Sequence, residues 1–528
     1  MSLKKGLIRF AGIIALFTLI SRVLGLVRDV GGAHLFGASE YWDAFVFAWM
    51  LPNLFRHLLG EGALSAAFVP VFSDYLVNKS KEETWRLASV VATLLAVVLI
   101  GLVVAGELIS IPLELIVSGG SDLSLQFILI RILFPYVALI CFVAFMMGML
   151  NSLDHFAAPA FAPVILNVFW IAGVFAVAPL LGGSPDRQII ALAVMLLVGG
   201  VAQVLMQVPP LLRKGVRLRP CFDFRHPGLK QILLLIAPMM VGLAPMQVNV
   251  LLDNVIARTM GQVGANSVFF YSNRLMQFPL ALIGIAMGTA VFPLFSRYSA
   301  ANERGKLRDA AAGALRLTLF MSIPASVGLA ILGGPIIRLF FEHGRFGQFT
   351  AERTALALLF YASGVWAFCS LQIVTRLFYA RKDSKTPVKV AVAMVGLNLV
   401  LNLLLIGPLD AAGLALATTV SQTANLGILL WLLRRRGEPM VDANLALFAG
   451  KVILVAAAMG GVCVAVLNFI PDDGTFFRAA RVFAPAIGGL LVFACAARLL
   501  RLGELGTILG ALFKRKTSPG AGDCPKPR

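Results

Sequence analysis

Arginine residues recur inside long apolar stretches of this sequence. Those lying deepest in such stretches are Arg22, Arg28, Arg56 and Arg274. If the stretches cross a membrane, each charge at the bilayer centre costs about 3 kcal/mol on insertion scales, so the side chains should face a cavity. Guanidinium groups bind phosphate oxygens in a bidentate manner, which lysine cannot do. Several together therefore favour a diphosphate over a monovalent carboxylate.

The stretch ISRVLGLVRD (20–29) places its polar groups on adjoining faces of a helix. At about 100° per residue, Ser21 and Arg28 share one stripe, and Arg22 and Asp29 share the next. Gly25 lies between them and leaves room for a bend or for the close approach of a ligand. Both arginines can therefore reach the same lumen, and Arg22, which is farthest from either end of its stretch, is the one we expect there most strongly.

Prolines accompany the other two arginines. Pro52 precedes Arg56 by one helical turn, and Arg274 and Gln277 lie at i,i+3 just before Pro279. A proline kinks a helix and exposes backbone carbonyls, which is tolerated in a membrane only beside protein or a wet cavity. The two segments are therefore predicted to line that cavity.

Further polar residues in the apolar stretches have simpler explanations. Arg258 and Arg376 lie near the ends of their stretches, where interfacial anchoring is the alternative to a cavity role, as it is for Arg28. Among the acidic residues of the second stretch, Asp43 is a cavity candidate, and Glu61 could instead pair with a neighbour.

A separate set of oxygen-bearing side chains could bind a cation. It consists of Asp253, Asn398, Asn402 and Thr418. Carboxylate, amide and hydroxyl oxygens are hard ligands suited to an ion such as Na⁺. The alternative is an interhelical hydrogen-bond set that holds the spans together.

The composition requires these residues to sit on membrane-spanning helices. The chain has 528 residues, is 59% hydrophobic and only 13% charged, and its mean hydropathy is +0.89, whereas soluble domains are about 25% charged. An all-α polytopic membrane protein with about fourteen spans is predicted. The spans are expected at 8–32, 42–64, 86–108, 124–150, 160–180, 188–212, 231–257, 267–294, 311–340, 353–379, 387–408, 411–433, 446–469 and 479–502.

The net charge of +19 is explained by loops and not by nucleic-acid binding. Basic clusters occur in alternate loops, as the positive-inside rule requires if both termini are cytoplasmic. The six cysteines and five histidines are scattered, which predicts neither a disulfide framework nor a metal centre. No nucleophile elbow or histidine-centred acid/base set is present, so an enzyme is not predicted.

An internal repeat divides the chain. FVPVFSDY (68–75) recurs as VFPLFSRY (291–298), and LNSLDHFAAP (150–159) has a looser echo in LFYARKDSKTP (377–387). Two parallel repeats of about six spans each, around a shared interface, are typical of alternating-access transporters. The predicted divisions are a first lobe at 1–220, a second lobe at 221–440, two added spans at 441–505 and a basic, disordered cytoplasmic tail at 506–528.

Four motifs resemble one transporter family over roughly the first 440 residues. They are SRVLGLVRD (21–29), FGASEYWDAF (36–45), PNLFRHLLGEGALSAAFVPVFSDY (52–75) and YSNRLMQFPLALIGIAMGTAVFP (271–293). These resemble the MurJ (MviN) family, bacterial lipid II flippases of the multidrug/oligosaccharidyl-lipid/polysaccharide exporter superfamily. The resemblance implies a V-shaped pair of lobes, a lipid groove formed by spans 13 and 14, and transport of lipid II across the bacterial inner membrane during peptidoglycan synthesis.

The resemblance also implies roles for individual residues. The family's cavity arginines fall on the four arginines above, its span 1 serine on Ser21 and its span 2 aspartate on Asp43. For Asp253, Asn398, Asn402 and Thr418, the resemblance implies a sodium site between helices. An acid in place of Asn402 would make that site stronger. We also expect Gln277 to contact the substrate. Members of the family can carry a glutamate at this position, so this chain does not require a carboxylate there for proton or charge coupling.

Other functions share parts of this pattern. A flippase for a different undecaprenyl-diphosphate oligosaccharide would need the same cationic cavity. A multidrug/cation antiporter of the same superfamily would need an acidic site, which the arginine excess disfavours. The expected partners are lipid II, membrane lipids and other cell-wall synthesis proteins, with Na⁺ as the one cofactor under consideration.

Overall fold

The computed structural model describes residues 2–58, 64–118, 124–437, 440, 442–472 and 474–513. Within these residues all regular structure is helical. The α-helices are α1 (Ser2–Phe36), α2 (Glu40–Phe55), α3 (Ser65–Asn78), α4 (Lys81–Ser118), α5 (Ser124–Leu133), α6 (Tyr136–Ser152), α7 (Ala157–Ala172), α8 (Ala178–Leu181), α9 (Pro185–Arg213), α10 (Pro227–Met260), α11 (Ala265–Pro279), α12 (Ala286–Ala300), α13 (Arg304–Phe340), α14 (Gln348–Ala380), α15 (Lys385–Leu409), α16 (Ala411–Arg435), α17 (Ala443–Phe469), α18 (Thr475–Leu499) and α19 (Gly503–Phe513).

The fold class predicted from composition is confirmed. In the described parts of the chain, 11 helices are long and apolar enough to cross a membrane, or 12 if α10, which is bent by 48° between Pro227–Met240 and Gly242–Met260, counts as one span. The two remaining predicted spans coincide with α1 and with α2, whose 16 residues are fewer than the roughly 20 that a span needs. Fourteen crossings therefore stays a prediction.

Proline shapes the helix that carries Arg274. Pro279 ends α11 and has no N–H to continue the hydrogen-bond ladder. A π-helical turn, Leu280–Ile285, follows it directly and leads into α12. Such turns often occur at functional sites because they rotate the helix faces on either side.

The segment between the second and third predicted spans is also ordered. It forms α3, which contains the first copy of the repeated motif. Phe68 and Phe72 of this helix are fully buried against Phe145 of α6 and Leu87 of α4. Burying side chains of this size stabilises the packing by about 1.5–3 kcal/mol each.

The chain divides into two compact units. The first comprises Met1–Arg274, Phe340–Ala357 and Ser384–Ser421, and the second comprises Leu275–Leu339, Leu358–Asp383 and Gln422–Arg528. The lobe boundaries predicted from the repeat stay a prediction.

The core of the second unit includes α19, the helix that follows the last predicted span. Phe493 of α18 packs with Leu502, and Ile508 of α19 packs against the same cluster. Residues 506–513, assigned to a disordered tail from the sequence, are therefore helical, because apolar residues of α19 find a core to cover. Residues 514–528 lie outside the described part of the chain.

Candidate functional site

Asn167 of α7 connects the predicted serine and arginine of α1. Its Nδ2 donates to the carbonyl of Ser21 at 2.9 Å and to Ser21 Oγ at 3.2 Å. Nη1 of Arg28 donates to Asn167 Oδ1 at 3.1 Å. Ser21 and Arg28 thus share a stripe as predicted. The asparagine was not predicted, although an amide in an otherwise apolar span is a sign of an interhelical hydrogen bond.

Arg28 is held from three sides and is only 8% exposed. Its Nε and Nη2 contact Asp29 Oδ1 at 2.9 and 2.8 Å. Its guanidinium carbon lies 4.3 Å from the ring centroid of Trp170, within the range of a cation–π interaction. The alternative that Arg28 reaches out to the membrane interface is therefore wrong, because its polar group is satisfied inside the protein.

Asp29 joins the two predicted arginine segments. Its Oδ2 accepts a hydrogen bond from Arg274 Nε at 3.0 Å, while its other oxygen is held by Arg28. The carboxylate is nearly inaccessible, with a side-chain exposure of 4%, whereas the Arg274 side chain is 45% exposed. One buried carboxylate thus positions two guanidinium groups and leaves one of them open to a ligand.

Gly25 borders the open guanidinium. A β-carbon built on Gly25 would lie 3.7 Å from Nη2 of Arg274 and 4.0 Å from Nδ2 of Asn167. A side chain at this position would therefore be in ordinary van der Waals contact with both groups, and Gly25 itself is buried. The ligand space predicted beside it stays a prediction.

Arg56 follows the C-terminal end of α2 and is half-buried. Its Nη2 lies 3.4 Å from Nε2 of His57. Together with Arg274, it is close enough to Arg28 to act on its charge. Three of the four predicted arginines therefore belong to one electropositive group, which we call the arginine cluster: Arg28, Arg56 and Arg274.

Arg22 is placed differently. Its side chain is exposed, and it takes part in no hydrogen bond or ion pair among the described residues. Its membership of the same site stays a prediction.

Asp43 serves the helix that carries Arg274. Its side chain is 2% exposed, and its carboxylate accepts from the backbone N–H groups of Gly264 and Ser267 at 2.7 and 2.8 Å and from Ser267 Oγ at 2.5 Å. A carboxylate at a helix N-terminus satisfies free N–H groups and complements the helix dipole. These contacts give Asp43 a positioning role for α11. Its contact with the substrate stays a prediction.

The remaining candidates near these segments are less closely tied to the cluster. Gln277 is exposed and lies in α11 one turn after Arg274. Nε of Arg258 donates to the buried amide oxygen of Gln126 at 2.6 Å, which anchors it to α5. Glu61 lies outside the described residues.

The predicted cation ligands converge in the first unit. Asn402 Nδ2 donates to Asp253 Oδ1 at 2.6 Å, and Asn249 Nδ2 donates to Asp253 Oδ2 at 3.0 Å. Asn402 Nδ2 also donates to Asn398 Oδ1 at 2.8 Å, and Asn398 Nδ2 donates to Thr418 Oγ1 at 3.4 Å. We call Asn249, Asp253, Asn398, Asn402 and Thr418 the Asp253 cluster.

One atom of the Asp253 cluster is left without a partner. Oδ1 of Asn402 is buried and accepts no hydrogen bond from the described residues. A buried oxygen of this kind costs about 1–3 kcal/mol unless a donor or cation reaches it. No group of three or more acidic, histidine or cysteine side chains forms a metal site in the described chain. A single carboxylate among neutral oxygens suits a monovalent ion better than a divalent one.

The described helices are those of a multi-pass membrane protein. The fold is shared with a solved structure described as the inward-facing conformation of a multidrug resistance MATE family transporter of the MOP superfamily, which aligns with a TM-score of 0.63, covering 79% of this chain and 94% of that chain at 15% identity. Residues 32–482 match the family model described as "Lipid II flippase MurJ". The chain belongs to the lipid II flippase MurJ family.

Individual relatives agree with this assignment. A protein of Vibrio cholerae serotype O1, named a probable lipid II flippase MurJ, is 34% identical over 472 residues, which is 87% of this chain and 89% of the relative. A solved structure of the lipid II flippase MurJ in an inward closed conformation has a TM-score of 0.77 and 26% identity, covering 92% of this chain and 99% of that one. The resemblance inferred from the motifs is thus confirmed.

Proposed function

We propose that this protein moves lipid II from the cytoplasmic to the periplasmic leaflet of the bacterial inner membrane by alternating access. The diphosphate binds the arginine cluster. The observation that supports this most directly is the buried Asp29, which fixes Arg28 and Arg274 and leaves the Arg274 side chain 45% exposed. The identity of the substrate is taken from membership of the lipid II flippase MurJ family.

The chemistry of binding follows from charge and geometry. Arg274 is partly exposed and can donate to phosphate oxygens, since charge-assisted hydrogen bonds to a guanidinium are short and strong. Arg28 is fixed behind it and adds positive potential, while Asp29 prevents the two cations from moving apart. Moving a charge of about −2 out of an inside-negative cell would be favoured by about 4–5 kcal/mol at roughly 100 mV.

Transport leaves every covalent bond of the substrate intact, so the proposed activity is not enzymatic. The Asp253 cluster is proposed to hold Na⁺, with the unpartnered oxygen of Asn402 and the carboxylate of Asp253 as ligands. We place both termini in the cytoplasm, on the evidence of the basic loops. Partners in cell-wall synthesis would receive lipid II on the periplasmic side.

The decisive experiment is reconstitution with labelled lipid II. The full chain is placed in vesicles and the label reaching the opposite leaflet is measured for the wild type, R274Q and R28Q. We expect both variants to lose at least tenfold in rate, since each removes a charge-assisted phosphate contact or its support. R217Q, in an exposed loop, is the matched control.

Full activity of the R28Q/R274Q double variant would refute the role of the cluster. Competition between lipid II and another undecaprenyl-diphosphate sugar separates the proposed substrate from the related one. Equal affinity for the two would show that the protein accepts undecaprenyl-diphosphate sugars in general and is not specific for lipid II.

A further inference from the structure

Arg376 lies against a bare backbone in the second unit. It projects from α14 toward α12, and a β-carbon built on Gly288 would overlap its Nη1 atom. Nη2 donates to Thr289 Oγ1 at 3.1 Å, and that hydroxyl donates to the carbonyl of Ile285 at 2.8 Å. Gly288 and Thr289 thus fix the position of the guanidinium.

Within the described residues, the charge of Arg376 has no acidic partner. Its Nη1 is buried and has no hydrogen-bond partner among the described residues, and no carboxylate in that part of the chain pairs with it. The side chain as a whole is half-buried. An arginine inside a spanning helix normally pairs with an acid, a carbonyl or an aqueous anion because the isolated charge is costly.

The depth of Arg376 indicates which anion could compensate it. It lies about 6 Å, or one helical turn, before the end of α14 at Ala380. Tyr379 lies close to it and is 41% exposed, as expected for aromatic residues at the level of lipid headgroups. If this end of α14 is at the membrane surface, Arg376 lies at the level of the phosphate groups of one leaflet.

Positive charge is also concentrated just beyond that helix end. Arg381 follows α14 directly, and burial together with the charges of Arg436 and Arg304 lowers its pKa. Asp383 pairs with Arg436 at 2.7 Å. Juxtamembrane groups of this kind attract anionic lipids, by about 1 kcal/mol per basic residue.

We propose that Arg376, oriented by Thr289 on the Gly288 backbone, binds the phosphate of a lipid headgroup, with Arg381 and its neighbours adding attraction. Two sources share this chemistry: an anionic phospholipid of the bilayer, or the diphosphate of a polyprenyl-linked molecule. The site does not depend on the proposed transport of lipid II, because binding of a bilayer phospholipid is measured without any flipping.

The test is native mass spectrometry of the purified full chain with three probes: phosphatidylglycerol, undecaprenyl diphosphate, and diacylglycerol as a lipid without phosphate. We expect R376Q to weaken binding of at least one phosphate-bearing probe about tenfold, the loss of one strong charge-assisted contact. R376K should lose less, because it keeps the charge but not the fork. G288A should also weaken binding, since its methyl group displaces the guanidinium.

K451Q is the matched control. Lys451 is an exposed cation in α17 of the same unit, so K451Q removes one charge without touching the site. A loss for phosphatidylglycerol alone identifies a structural bilayer lipid, and a loss for undecaprenyl diphosphate alone identifies a substrate contact. Unchanged binding of both phosphate probes in R376Q and R376K, or an equal loss in K451Q, overturns the proposal.

Discussion

At the scale of single residues, Asp29 determines how the arginine cluster works. Its two oxygens hold Arg28 and Arg274, so it competes with a phosphate for the same donors while keeping those donors in place. Removing it should therefore affect binding and transport in opposite ways.

We expect D29N to retain or strengthen diphosphate binding, because the cluster loses its negative charge. Transport should fall at least tenfold, because two side chains lose their common anchor. Binding is measured with undecaprenyl diphosphate and transport by reconstitution, with D309N as the control because the Asp309 side chain is 74% exposed. A parallel loss of binding and transport would contradict this expectation and would show that the diphosphate needs Asp29 in order to bind.

His226 gives the protein a pH-dependent helix cap. Its Nδ1 accepts from the N–H of Gly228 at 3.2 Å at the start of α10, which requires a neutral imidazole. Burial lowers the pKa of His226, as does Arg86, while Asp223 and Glu83 act in the opposite direction. Because the folded protein then binds fewer protons than the unfolded chain, the stabilisation is complete above about pH 6.5 and is lost as the pH falls through the folded-state pKa.

We expect the melting temperature of the wild type to decrease between pH 7.5 and 5. H226N keeps a capping oxygen that does not titrate, so its melting temperature should decrease less. The difference corresponds to about 1 kcal/mol in the free energy of unfolding, the value of one cap. Identical pH profiles of the two proteins would exclude His226 as the titrating group.

At the scale of elements, the face that α1 presents controls access to Arg274. A methyl group at position 25 would make only ordinary van der Waals contact, at 3.7 Å from Arg274 Nη2. A larger side chain would occupy the ligand's space.

G25A should therefore keep most of the transport rate, whereas G25L should reduce diphosphate affinity at least tenfold by excluding the phosphate. Binding of undecaprenyl diphosphate to the two variants measures this. If G25L binds as the wild type does, the ligand is not seated beside Gly25.

The helices, their approximate ends and the stripe shared by Ser21 and Arg28 could be predicted, because periodicity and apolar length determine them. Which arginine is held by side-chain contacts could not be predicted. The rotation of α1 against α7 buries Arg28 and leaves Arg22 exposed, and the cavity role of Arg22 stays a prediction. That rotation depends on Asn167 and Trp170, which are distant in sequence. The role of Asp43 depends on a turn near Gly264 that is also distant.

At the scale of the whole molecule, the Asp253 cluster links α10 to α15 and α16 in the first unit. A bound Na⁺ would stabilise this arrangement by mass action, by about 1.4 kcal/mol at ten times its Kd. The ion is thus expected to favour one state of the transporter.

We expect NaCl to raise the melting temperature of the wild type more than choline chloride does at equal ionic strength. D253N removes the one carboxylate of the cluster and should abolish the difference, while D309N should preserve it. A Na⁺-specific shift that persists in D253N would place the ion elsewhere.

The 48° bend divides α10 into two arms, Pro227–Met240 and Gly242–Met260. The first arm packs against α3 and α4 through the buried residues Leu229 and Ile232. The second arm carries Asp253, which accepts a hydrogen bond from Asn402 of α15. If Na⁺ binds at Asp253 as proposed, binding and release at the second arm would bear on the packing of the first arm, because one helix carries both.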